Sequence, residues 1–175
     1  LMNKVFEVIE AKNIFSTPYK RIKILMHPES YLHAIVMFKN GLTKLLIHDT
    51  SMKFPIFNSI YSEKSNRINY NKLNLKKINN LDLNYPDKNR YPSIKILNHM
   101  PQNFSLFETI IVSANDELVD LFLNNKIKFN EIVKILLQIA KSKKFIKYKN
   151  IMPKKIEDIT KLSEFVRLKI RSLSV

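Results

Sequence analysis

An α+β fold is expected: a mixed segment holding a small sheet, followed by a small C-terminal bundle of helices. Three observations predict it. Two apolar runs, residues 34–38 and 42–47, flank Lys39-Asn40-Gly41, and Asn-Gly accepts the positive φ that a hairpin turn requires. After Pro92 the apolar residues recur at helical spacing. Between these regions, residues 62–87 are rich in Asn and Lys, with scattered Leu and Ile.

The elements follow in order. A first helix is predicted from the start to about Phe15, broken by Ser16-Thr17-Pro18, since Pro disfavours helix in the residue before it. No capping residue precedes this helix, so the chain is expected to begin inside an element, as a fragment of something longer would. Residues 19–23 form a basic connector. Residues 24–26 read as a buried strand end, stopped by His27-Pro28. The hairpin comes next, then a loop over 48–54, and Pro55 opens a helix to about Tyr61. One strand near residues 73–83 is expected within the linker, and Tyr85-Pro86-Asp87 marks a boundary. Pro92 opens a short helix to about Asn98. Ser113 and Asp116 read as a capping box, ahead of Leu118, Leu121 and Phe122. Asn130 caps a helix carrying Ile132, Ile135, Leu136 and Ile139, and Pro153 separates it from one carrying Ile159, Leu162, Val166 and Ile170.

Composition narrows the function. With 175 residues, 45% of them hydrophobic, the chain suits one domain or slightly more, with a sizeable core. The absence of Cys excludes disulfides, thiolate metal sites and a Cys nucleophile. One Gly excludes the glycine-rich phosphate cradles of P-loop and dinucleotide type. No leader pattern and no apolar run of about 20 residues is visible, so a cytoplasmic protein is expected, or a plastid-type one in a eukaryote. The formal charge of +15 fits nucleic-acid binding, and equally a codon bias toward Lys, Asn and Ile.

The opening stretch, LMNKVFEVIEAK, holds the main candidate chemistry. At about 100° per residue, Asn3, Lys4, Glu7 and Ala11 share one side, while Met2, Phe6 and Ile9 share another with Val5 and Val8 beside them. An amide and an ammonium can hold a phosphate through N–H donors, and a carboxylate can hold a hard divalent metal. A plain solvated face is the competing account. His27 and His33 flank Glu29 and Ser30 at a spacing that matches no zinc motif, with no carboxylate to orient an imidazole, so a structural role is favoured. Met52 lies in the loop DTSMKFP, where its thioether can rest on an aromatic ring or simply fill space. Lys143, Lys144, Lys147 and Lys149 alternate with Phe145 and Tyr148, a pattern that could grip RNA or form a solvated helix end.

Four blocks occur in fixed order: LMNKVFEVIEAK, ILMHPESYLHAIVMFKNG, NRYPSIKIL and SANDELVDLFLNNKIKFNEI. Together they resemble the C-terminal half of the 1-deoxy-D-xylulose 5-phosphate reductoisomerase family. The resemblance implies NADPH-dependent rearrangement and reduction of a sugar phosphate to 2-C-methyl-D-erythritol 4-phosphate in isoprenoid biosynthesis, with Mg or Mn chelating the substrate. It implies that Asn3 and Lys4 hold substrate oxygens and phosphate, that Glu7 is one of three acidic metal ligands, and that Met52 lies near the nicotinamide. Ser30 and His33 would line or support the pocket. It further implies a homodimer, or pairing with a missing N-terminal half. The chain departs from the family pattern at Val5, Glu29, Thr50-Ser51 and Phe54. On this basis residues 1–61 are the C-terminal part of a catalytic domain, 62–87 a linker, and 88–175 the helical bundle. The chain is expected to lack the NADPH domain and to be inactive alone. A non-catalytic dimerising remnant and a basic RNA-binding protein, the latter ranked lower, are the alternatives.

Overall fold

The structure, a computed structural model, describes residues 1–61, 67–69 and 71–172. In chain order its elements are helix α1 (Met2–Ile14), a 3₁₀ turn (Tyr19–Arg21), strands β1 (Leu32–Met37) and β2 (Thr43–Ile47), and helices α2 (Lys53–Ile60) and α3 (Leu75–Asn79). A 3₁₀ helix (Pro92–His99), α4 (Leu106–Leu123), α5 (Phe129–Lys141), α6 (Lys143–Ile146), a 3₁₀ turn (Lys147–Asn150) and α7 (Ile156–Arg171) complete it. Helices with a two-stranded antiparallel sheet make the expected α+β class. None of the described helices is long and apolar enough to cross a membrane. Two compact units form: Leu1–Ile24 with Asp87–Val175, and Leu25–Pro86.

In the helical unit, α4 is the central element. Phe107, Ile110, Ile111, Ala114 and Leu118 recur three and four residues apart on it, and all are buried. Leu136 and Ile139 of α5 and Leu162, Val166 and Ile170 of α7 close on that stripe. Val5 and Ile9 of α1 join the same cluster, so α1 packs with the bundle, whereas the sequence grouped it with residues 25–61. The expected capping box at Ser113 is corrected. α4 begins eight residues earlier, where Ser105 Oγ accepts from the Phe107 N–H at 3.2 Å. The apolar run 106–112 simply continues the helix through Ser113, whose hydroxyl donates to Ser163 Oγ of α7 at 2.8 Å. Glu117, also buried in the helix interior, receives Arg171 through two bonds, Nε to Oε1 at 2.7 Å and Nη2 to Oε2 at 3.0 Å. α5 starts at Phe129, before Asn130, and the Glu131 carboxylate takes the Lys128 N–H at 2.7 Å.

In the second unit the hairpin pairs Leu32 with Ile47 and Met37 with Thr43. Gly41 has φ +86°, and Asn40 Oδ1 takes the Leu42 N–H at 3.1 Å, so the Asn-Gly turn behaves as its chemistry requires. Residues 24–26 do not form a buried strand end: Met26 makes an isolated bridge with Asn84, and Leu25 is exposed. The strand expected near 73–83 is helix α3, because Asn74 Oδ1 caps the Lys77 N–H at 3.1 Å. α2 begins at Lys53, with Pro55 in its first turn, where a missing N–H removes no helical bond. Of the expected 62–87 linker, residues 62–66 and 70 lie outside the described residues.

Candidate functional site

The candidate ligand face stands on α1. Asn3 Nδ2 donates to Glu7 Oε1 at 3.0 Å, and Lys4 Nζ donates to Glu7 Oε2 at 2.7 Å. The spacings of four and three residues place these side chains one turn apart on one face. Lys4 and Glu7 side chains are 48% and 45% exposed, so the network is open to solvent. One carboxylate therefore gathers an amide and an ammonium into a single patch. An incoming phosphate would exchange Glu7 for its own oxygens on both donors, and a metal would take a Glu7 oxygen in place of Lys4.

The opposite flank of α1 is set into the helical unit. Val5, Val8 and Ile9 are buried, and so is Lys12. Lys12 Nζ lies 3.6 Å from Glu108 Oε1 of α4, with both side chains 7% exposed. It also donates to Asn13 Oδ1 at 2.9 Å and sits 5.7 Å from the centre of the Tyr19 ring. The Tyr19 hydroxyl is buried with no hydrogen-bond partner among the described residues, and the buried Glu108 carboxyl has Lys12, the Asn13 side chain and the Ser105 backbone around it. Burial pushes the Glu108 carboxyl above its ordinary range, and Lys12 pulls it partly back. Burial, with Glu108 nearby, also raises the Tyr19 hydroxyl. Sequence reasoning missed this group. Its one signal was a lysine following the apolar flank of α1, at i+4 from Val8 and i+3 from Ile9.

The second unit holds the remaining candidates. Ser30 has φ +47°, the left-handed region that a β-carbon normally avoids. His27 explains the turn around it: its Nε2 meets the Leu32 backbone, 3.0 Å from the N–H and 3.2 Å from the carbonyl oxygen. That imidazole is a loop staple. His33 Nε2 donates to the His48 carbonyl at 3.0 Å, and the two rings stack at 3.6 Å, nearly parallel at 5°. Phe54 lies against His48 at 6.0 Å. Tyr31, missed in the sequence, is buried, and its hydroxyl accepts the Asn74 N–H at 3.1 Å. Glu29 faces Lys77 at 3.8 Å. Met52 precedes the first turn of α2 and is 66% exposed.

Glu7 supplies oxygen of the kind that a hard cation prefers, but a full ligand set needs several such groups. Among the described residues, no group of three or more His, Cys, Asp or Glu side chains could hold a metal ion. The donor set of this chain therefore fits one edge of such a site, and no step is derived through a metal. A dinucleotide cradle is likewise missing from the sequence, since Gly41 is its single glycine and lies in the hairpin turn.

A family model described as the DXP reductoisomerase C-terminal domain matches residues 48–169. The 1-deoxy-D-xylulose 5-phosphate reductoisomerase of Pelagibacter ubique is 55% identical over 175 residues, covering 100% of this chain and 45% of that protein. That of a Sulfurihydrogenibium species is 35% identical over 138 residues, covering 79% of this chain and 37% of its own length. Among solved structures, the Zymomonas mobilis enzyme in complex with NADPH superposes with a TM-score of 0.81 at 26% identity, covering 99% of this chain and 44% of that one. A DOX-P reductoisomerase in complex with NADPH, fosmidomycin and magnesium shares the fold at a TM-score of 0.84 and 22% identity. The chain spans less than half the length of these relatives.

Proposed function

The chain belongs to the DXP reductoisomerase family, and from that membership we propose that it is the C-terminal part of an NADPH-dependent enzyme that rearranges and reduces 1-deoxy-D-xylulose 5-phosphate. Residues 1–61 supply its catalytic part and 88–175 its helical domain, α1 serving the former while packed with the latter. Asn3 and Lys4 bind the phosphate and neighbouring substrate oxygens by N–H donation. Glu7 contributes one of several oxygen ligands to a Mg or Mn ion, which when bound would polarise the substrate's carbonyl and hydroxyl oxygens. Ser30 and His33 support the pocket wall, with His33 oriented by His48. Met52, exposed at the head of α2, offers a soft surface to the nicotinamide. The enzyme acts in the cytoplasm as a homodimer.

The single observation that supports this reading is the Asn3–Glu7–Lys4 network, which holds the three residues proposed as ligands together on one exposed face. Residues 1–175 alone should oxidise no NADPH with the deoxyxylulose phosphate and Mn. Fused behind the part of the P. ubique enzyme that precedes the matched region, the chain should turn over. In that fusion, E7Q should lower kcat/KM at least about 100-fold, and K4M should raise KM chiefly. Turnover by residues 1–175, or an E7Q fusion as active as its parent, would overturn the proposal.

A further inference from the structure

We propose that the buried Lys12–Glu108 pair is a rotational key for α1: it fixes the angle at which that helix presents Asn3, Lys4 and Glu7. The term ligand face rests on the function proposed above, but the key itself does not.

Apart from this pair, α1 meets the core of the helical unit through apolar side chains, Val5 and Ile9 within it and Met2 and Phe6 packed against it. Apolar contact is non-directional, so it seats a helix without strongly resisting a turn about its axis. An ion pair excluded from water ties two particular side chains together and is costly to separate. Lys12 is five residues after Glu7, so it stands about 140° around the helix from it. It therefore reaches inward to α4 while Glu7 faces out. The ammonium is further fixed by Asn13 and by the face of Tyr19, and Lys12 is the one cation paired with the carboxylate among the described residues, with the Asn13 side chain and the Ser105 backbone beside it.

The leverage is geometric. Side chains extend about 5–6 Å from a helix axis, so a 20° turn displaces their tips by roughly 2 Å. Misplacing a substrate-holding group by about 1 Å can cost about 100-fold in rate. A buried ion pair contributes little net stability over a well-packed apolar replacement, so its value here lies in register. Lys12 and Glu108 are thus positioning residues, remote from any substrate.

The chain contains no cysteine, so cysteines placed at the exposed positions Glu10 of α1 and Lys134 of α5 can each carry a spin label. Pulsed electron-spin distance measurement on residues 1–175 then reads the seating of α1 within the helical unit. The parent and K12R should give one narrow distribution. K12M/E108L should keep or raise the Tm, yet broaden the distribution or move it by about 2 Å. An unmoved, equally narrow distribution in a folded K12M/E108L protein would overturn the proposal and make the pair a packing element only. If that variant fails to fold, K12Q/E108Q replaces it, with the same two outcomes. Neither readout depends on NADPH, metal or sugar phosphate, so failure of the key and failure of the proposed function are separately visible.

Discussion

Lys12 and Glu108 also make the sharpest stability statement at the scale of single residues. K12M leaves a carboxylate buried without its cation, which should cost about 3–5 kcal/mol. The folded pKa of Glu108 is already raised by burial, and removing Lys12 raises it further. A raised carboxyl contributes stability that is fully present below its unfolded value and lost as pH rises through its folded value. The penalty of K12M should therefore be largest near pH 8 and shrink toward pH 4.5, as urea unfolding at the two pH values would measure. A pH-independent penalty would show that the carboxyl does not titrate in this range. Asn3, Lys4 and Glu7 were legible as neighbours from helical spacing alone, because i,i+3 and i,i+4 contacts are local. The Lys12–Glu108 pair was not, because its partner comes from a helix far along the chain.

Elements were legible where a local signal was unique and misplaced where it recurred. Ser105-Leu-Phe-Glu108 and Ser113-Ala-Asn-Asp116 both resemble capping boxes. The earlier one starts α4, and the later one lies mid-helix with its serine bonded to α7. S105A should thus cost about 1 kcal/mol through the lost cap. R171M, which strips two charge-assisted bonds from buried Glu117, should cost about 1.5–3 kcal/mol. Thermal melts of the two variants should rank in that order. The hairpin was readable because Asn40-Gly41 has few other uses, and G41A should destabilise it by about 1 kcal/mol, since φ +86° is strained for any β-carbon. α3 was read as a strand because its apolar residues are too sparse to show a period, while the Asn74 cap that decides the matter is a single side chain.

For the molecule as a whole, the resemblance carried by four ordered blocks reached further than any physical pattern in the sequence. Composition and spacing could find a patch of donors beside a carboxylate, but they could not tell a sugar-phosphate grip from an ordinary solvated stripe. The match over residues 48–169 and the shared fold supply the family. The fusion enzyme tests the chemistry directly. The grouping of α1 with the bundle was also out of reach of the sequence, since it depends on Val5 and Ile9 joining, in three dimensions, a core built from residues beyond position 95. The β-hairpin has a practical consequence for such work. Val36, Leu42, Leu45 and Leu46 are all roughly half exposed on a two-stranded ribbon, and a ribbon of that kind is sticky at its rims as well as greasy on its surface. Preparations of residues 1–175 should scatter light increasingly as they are concentrated, and lysine placed at Leu46 should keep them clear.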